Sequence, residues 1–295
     1  MTFHGVLTAL VTPFTADGQV DEAAFRAHVR RQLDAGIAGL VPCGTTGEAP
    51  TLTVDEQVEV VRWTVEESSG RVPILAGIGS NDTRTAIDTA LRVQELGVQG
   101  VLGTTPYYNK PTQQGLVRHF TAIADAIDIE LCLYDVPGRT ALAMQPKTTA
   151  RLSAHPRITC VKDATGDLNV ATELRRSCTR GFTLLSGDDF TTLPFLAVGG
   201  QGCISVASNI VPERTVAMVA DALAGRTGRA RDAHLALFPL WRVLFVQTNP
   251  LPVKTAMAAM DWCEETFRLP LCPMDAEPRA ALLAEVERQG LLRSA

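Results

Sequence analysis

Residues 158–185 read ITCVKDATGDLNVATELRRSCTRGFTLL. A short apolar run, Ile158–Lys162, ends at the turn-rich Asp163-Ala164-Thr165-Gly166. A stretch with helical periodicity, Leu168–Thr179, follows, and a second apolar run, Phe182–Leu185, starts just after Gly181. Strand, helix and strand in that order form a crossover unit, whose two strands lie parallel beneath the helix.

The same unit recurs in both directions along the chain. Gly5–Val11, Gly39–Pro42, Pro73–Ile78, Gly100–Gly103, Glu130–Tyr134 and Gly202–Ser205 bring the candidate strands to eight. Between them, Asp21–Ala35, Thr53–Ser68, Thr83–Leu96, Thr112–Ile127, Pro146–Ala154 and Asp188–Val198 read as helices. Thr53–Ser68, for example, places Val54, Val58, Val61 and Val65 on one face. Regular alternation predicts a parallel sheet covered by helices, and eight repeats predict closure into a (β/α)8 barrel. An open doubly wound sheet is the alternative. Against it, the nearest thing to a dinucleotide fingerprint, Gly77-Ile78-Gly79, lacks the third glycine. Beyond the eighth strand, Arg214–Leu223, Arg229–Phe245, Val253–Met260 and Ala276–Arg288 look helical, with no Ser- or Gly-rich linker before them. We expect a barrel over residues 1–225 and a helical extension, 226–295, packed on it.

The chain has 295 residues, 46% hydrophobic, with a formal net charge of −5. Arginines are scattered among acids, so no basic face suggests nucleic acid. The first residues lack the basic start of a signal peptide. The apolar run Val6–Val11 falls far short of the ~20 residues needed to span a bilayer. Of seven cysteines without a CxxC pair, Cys43, Cys132, Cys160 and Cys203 sit in or beside apolar runs and read as small buried hydrophobes of a reducing cytoplasm. The five histidines form no HxH or HExxH pattern, so no metal site is expected.

In such a barrel the chemistry gathers at the C-terminal ends of the strands. Lys162 ends the sixth strand, in a chain with only four lysines. Removing an amine from water disfavours the ammonium and frees the nitrogen to attack a carbonyl. The competing reading is a lysine paired with Asp163 or Glu173. The three tyrosines, Tyr107, Tyr108 and Tyr134, all fall at or just after strand ends, although ten phenylalanines were available as core filler. Such a hydroxyl can carry a proton, or simply pack with one hydrogen bond. Thr45 and Thr46, between Gly44 and Gly47, can offer hydroxyls and N–H groups to a small carboxylate, or merely form a tight turn. Arg139, after Pro137-Gly138, can clamp a carboxylate or remain a surface arginine. Asp188 and Asp189 after the seventh strand would repel a phosphate, which barrels often bind there.

Six motifs then appear in order: GTTGE (Gly44–Glu48), TPYYNKP (Thr105–Pro111), LYDVPGRT (Leu133–Thr140), VKDATGD (Val161–Asp167), LSGDD (Leu185–Asp189) and NPLPVK (Asn249–Lys254). Over essentially its whole length the chain resembles the dihydrodipicolinate synthase family of the N-acetylneuraminate lyase superfamily. The resemblance implies a (β/α)8 barrel with a C-terminal helical extension, assembled as a homotetramer. It implies no cofactor and no metal. Its substrates would be pyruvate and L-aspartate 4-semialdehyde, and the product 4-hydroxy-tetrahydrodipicolinate. It implies Lys162 as the Schiff-base lysine and Tyr134 as the general acid/base. Thr45 and Tyr108 become its relay partners, Tyr108 reaching in from a neighbouring subunit. Thr46, Gly187 and the Ile204 backbone become substrate-binding positions, and Arg139 the receiver of the aldehyde's carboxylate. Asp135 and Gly138 stand where relatives commonly have Asn and Ser, which reads as lineage variation, although the charge of Asp135 near Arg139 could tune it. Lysine-inhibited relatives usually carry a His near Val54 or Gln57 and a Glu at Thr85, so weak or absent lysine inhibition is expected. Two rivals remain: an aldolase or dehydratase of the same superfamily acting on a sugar acid, and a silent barrel that only binds a small acid.

Overall fold

The computed structural model describes residues 3–292. Eight strands follow in order: β1 (Gly5–Ala9), β2 (Gly39–Val41), β3 (Leu75–Gly77), β4 (Gly100–Thr104), β5 (Glu130–Asp135), β6 (Ile158–Asp163), β7 (Thr183–Ser186) and β8 (Gly202–Ser205). The helices between and after β1–β4 are α1 (Glu22–Asp34), α2 (Val54–Ser68), α3 (Thr83–Gln94) and α4 (Gln113–Ala126). The next are α5 (Pro137–Thr140), α6 (Pro146–Leu152), α7 (Leu168–Ser177), α8 (Thr192–Ala197) and α9 (Pro212–Leu223). The chain ends with α10 (Thr227–Leu244), α11 (Leu251–Ala259) and α12 (Ala276–Arg288).

All strand pairs are parallel, in the order β2-β1-β8-β7-β6-β5-β4-β3. A parallel bridge between Leu40 and Ile74 closes the ring, and the Gly77 N–H donates to the Pro42 carbonyl at 2.9 Å. The expected (β/α)8 barrel is therefore present. Strand side chains alternate between two cores, as a period of two requires. Leu131, Leu133 and Val161 face the helices, whereas Cys132, Tyr134 and Cys160 fill the barrel interior with Leu7, Leu102 and Leu185.

Local chemistry sets the helix starts. Thr53 opens α2 with a reciprocal cap: its hydroxyl accepts from the Glu56 N–H and the Glu56 carboxylate accepts from the Thr53 N–H. Asp21, Asp82, Thr112 and Asp167 cap α1, α3, α4 and α7. Helix α8 is shorter than the expected Asp188–Val198. The Asp188 carboxylate instead accepts from the Phe190 N–H and the Thr191 hydroxyl, and Asp189 turns inward to the Ser205 hydroxyl and the Val206 and Ala207 N–H groups. Two acids so engaged form a turn before the helix can begin.

Helices α10, α11 and α12 share the core between strands and helices, through Trp241, Leu244, Met257, Leu282 and Val286. Asn249 and Pro250, between α10 and α11, bring the chain back to the barrel mouth, where Asn249 meets the loop after β2. Gly77, read above as half of a weak nucleotide motif, has a packing role. A Cβ there would lie 2.0 Å from the Cys43 carbonyl oxygen.

Candidate active site

Tyr134 and Lys162 are direct partners across the β5–β6 pair. Both point into the barrel, one layer above the partners Cys132 and Cys160. Lys162 is 6% exposed and Tyr134 5%. The Lys162 nitrogen lies 4.2 Å from the centroid of the Tyr134 ring. Among the described residues no carboxylate pairs with Lys162. Asp163 accepts from the Thr165 N–H, and Glu173 pairs with Arg176. The ion-pair reading of Lys162 is thereby removed.

A cavity of about 410 Å³ opens above this pair, lined by Lys162, Tyr134, Thr45, Thr46, Arg139 and Gly187, with Asn249 on its wall. A second, of about 230 Å³, shares Thr45, Tyr134 and Arg139 and extends towards Gly79, Thr104 and Tyr107. Together they form a cleft in which the Thr45 and Tyr134 hydroxyls have no hydrogen-bond partner among the described residues. A larger groove of about 540 Å³, lined by Asp21, Trp262, Cys263 and Arg279, holds none of the expected residues.

The Thr45-Thr46 loop follows β2 and turns sharply. The Gly47 and Glu48 N–H groups fold back onto the Gly44 and Thr45 carbonyls, whereas those of Thr45 and Thr46 have no acceptor among the described residues. Two N–H groups beside two hydroxyls suit a small carboxylate. Gly187 makes room for the lysine: a Cβ there would lie 3.1 Å from both Cγ and Cε of Lys162 and 2.8 Å from the Ala164 Cβ. Its N–H donates to the Asp163 carbonyl at 2.7 Å.

Arg139 sits in the single turn α5 and is exposed, with Nη2 donating to the Asn249 carbonyl at 3.0 Å. Tuning of Arg139 by Asp135 is not found. Asp135 is buried, and both its oxygens accept from the Met144 N–H, at 3.1 and 3.2 Å, with no ion pair to Arg139. Burial pushes its carboxyl up to about 7, aided by Asp163 and opposed by the Met144 N–H.

Two expected residues stand apart. Ile204 is buried inside the barrel on β8, paired with Leu7, and lines neither cavity. Tyr108 is 90% exposed, in a left-handed backbone conformation (φ 68°), and likewise lines neither cavity of its own chain. One residue was missed at the sequence level. The Asn249 Nδ2 donates to the Thr46 hydroxyl at 3.0 Å while its carbonyl receives Arg139. The motif NPLPVK had marked the segment, but nothing local ties it to Thr46, 203 residues away. Among the described residues no group of three His, Cys, Asp or Glu could hold a metal, and no helix is long and apolar enough to cross a membrane.

Comparison with known proteins places this geometry. The model of the dihydrodipicolinate synthetase family matches residues 2–289. The chain belongs to that family. Within it, the chain is similar to the 4-hydroxy-tetrahydrodipicolinate synthase of Maridesulfovibrio salexigens, 48% identical over 99% of this chain and 100% of that one. The synthase of Pelobacter propionicus is 49% identical over 98% and 100%. Among solved structures, a dihydrodipicolinate synthase from Acinetobacter baumannii complexed with pyruvate superposes with a TM-score of 0.97 at 37% identity, covering 99% of this chain and 100% of that one. The (β/α)8 frame and the family resemblance read from the motifs thus agree with the family's own structures.

Proposed function

We propose that this protein condenses pyruvate with L-aspartate 4-semialdehyde to give 4-hydroxy-tetrahydrodipicolinate, through an imine on Lys162. The observation that carries the reading is a buried lysine with no carboxylate partner among the described residues, stacked on a tyrosine in a cleft that also offers Thr45, Thr46 and Arg139.

In this reading the Lys162 amine adds to the keto carbon of pyruvate and water leaves, forming a protonated imine. The imine draws electrons from the methyl group, which loses a proton through Tyr134 and Thr45 to give an enamine. The enamine carbon attacks the aldehyde carbon, and the new alkoxide takes a proton back through the same hydroxyls. The amine of the second substrate then displaces Lys162, which frees the enzyme and closes the ring. Thr46, the N–H groups beside it and Gly187 hold the pyruvate end, and Arg139 receives the carboxylate of the aldehyde. The Ile204 backbone contributes from β8. An exposed Tyr108 completes the relay of a neighbouring subunit's site, so the working assembly is a homo-oligomer, and we favour a homotetramer. No cofactor is needed, because the imine itself is the electron sink. Seven free cysteines favour a reducing compartment, the cytoplasm.

The test is a product assay with pyruvate and aspartate semialdehyde run beside a panel of sugar acids. Turnover of the semialdehyde alone is expected. Preferential cleavage of a 2-keto-3-deoxy sugar acid or a sialic acid would transfer the chain to the rival chemistry.

A further inference from the structure

The Thr45-Thr46 loop is held from behind. Cys43 and Glu48, flanking it, both have left-handed backbones, φ 56° and 54°. Non-glycine residues keep that conformation only where their surroundings dictate it. Behind the loop, Glu48 Oε1 lies 2.6 Å from the Lys254 nitrogen, and both side chains are 0% exposed. The ammonium rests over Phe14 at 4.0 Å and Phe267 at 5.2 Å, and among the described residues Glu48 is its one carboxylate partner. The other Glu48 oxygen accepts from the Arg268 N–H at 3.4 Å, and the Arg268 guanidinium reaches the Gly18 and Thr51 carbonyls and both oxygens of Glu56.

Neither Glu48 nor Lys254 lines the cleft. Lys254, in the first turn of α11, nevertheless lies only five residues beyond Asn249, which grips Thr46 with its amide and Arg139 with its carbonyl. A single segment, Asn249–Lys254, therefore holds the loop at Thr46 and Glu48 and steadies the arginine opposite.

We propose that the buried Glu48–Lys254 ion pair is a positioning device, fixing the loop so that the hydroxyls and N–H groups of Thr45 and Thr46 face Lys162. Apolar residues of similar volume can match a buried ion pair in stability. They cannot match its geometry, because a charge-assisted hydrogen bond fixes distance and angle where apolar contact allows sliding. The role is distinct from stability, and its effect falls on the proton-transfer step. It rests on the imine chemistry proposed above.

Two variants test it: E48L/K254M, which removes both charges together, and E48Q, which keeps the shape of Glu48. Each is assayed at a temperature where its circular dichroism matches that of the wild type. Two signals are read: borohydride trapping of pyruvate on Lys162, and exchange of pyruvate methyl protons in D2O followed by NMR. The folded variants should still trap pyruvate at saturation, because Lys162 stands on a different strand. Methyl exchange should slow by about 10- to 100-fold, the scale of an ångström-sized misplacement, with a raised half-saturation for pyruvate. Exchange at the wild-type rate in a folded variant would overturn the proposal. Complete loss of trapping would also overturn it, by showing that the pair acts on Lys162 and not on the loop. A wild type that neither traps nor exchanges would instead refute the imine chemistry.

Discussion

The Lys162 nitrogen sits 4.2 Å from the Tyr134 ring centroid, and the two residues are partners on adjacent parallel strands. Neighbouring strands thus deliver the proposed nucleophile and the proposed proton carrier together, without help from a flexible loop. Tyr134→Phe keeps the ring beside the Lys162 nitrogen and removes only the hydroxyl. It should leave the fold and the capture of pyruvate in place and lower turnover by about 10²- to 10⁴-fold. Steady-state rates beside a thermal melt check this; near-wild-type turnover would remove Tyr134 from the relay.

Tyr108 is the one proposed relay member that does not line its own chain's cleft. Tyr108→Phe should therefore reduce turnover without changing the fold. Specific activity should also fall on dilution into the range where the oligomer dissociates, as seen by sedimentation. A fully active monomer would rule out a shared site.

Asp135 makes stability depend on pH. Its carboxyl titrates near 3.8 in the unfolded chain and at about 7 in the fold. Between those values the folded protein holds a proton that the unfolded chain has released. The stabilisation is full below about pH 4 and is lost as pH rises through about 7. A tenfold change in proton affinity is worth about 1.4 kcal/mol and the shift spans about three such factors, so Asp135→Asn should add on the order of 4 kcal/mol at pH 8 and little at pH 4. Denaturant melts at both pH values measure this; an equal effect at the two would contradict it.

Inhibition by lysine should be weak or absent. Around the positions that bind lysine in sensitive relatives, the Gln57 amide donates to the Ala49 and Leu52 carbonyls, and the Thr85 hydroxyl donates to Asp82. Glu48 cannot turn outward to meet an ammonium, because it is buried against Lys254. An ammonium taken from water without a new partner loses its solvation uncompensated. Initial rates across a lysine titration should stay flat below about 1 mM, where binding is worth roughly 4 kcal/mol. Half-inhibition below that concentration would show the reading wrong.

The barrel was legible because each strand is an apolar run bounded by turn residues and α1, α2, α3, α4 and α7 each open on a capping Asp or Thr. Strand ends moved by a residue or two: Gly5–Val11 shortened to Gly5–Ala9, and Glu130–Tyr134 gained Asp135. Helix α8 was misjudged because Asp188 and Asp189 looked like its first turn, and only the fold shows Ser205 and Ala207 claiming one of them. Lys162, Tyr134 and Thr45 could be read because strand ends face the mouth. Asn249 and the Glu48–Lys254 pair could not, because their partners lie more than two hundred residues away. A faint signal existed: Lys254 is a lone charge within the otherwise uncharged helix Leu251–Ala259.

The role of Lys162 is tested most directly by borohydride reduction under saturating pyruvate, followed by peptide mass mapping. A lactyl-type addition on Lys162 is expected, with Lys110, Lys147 and Lys254 untouched, and Lys162→Ala should abolish both the label and the activity. An unmodified Lys162 peptide, or a label on another lysine, would contradict it.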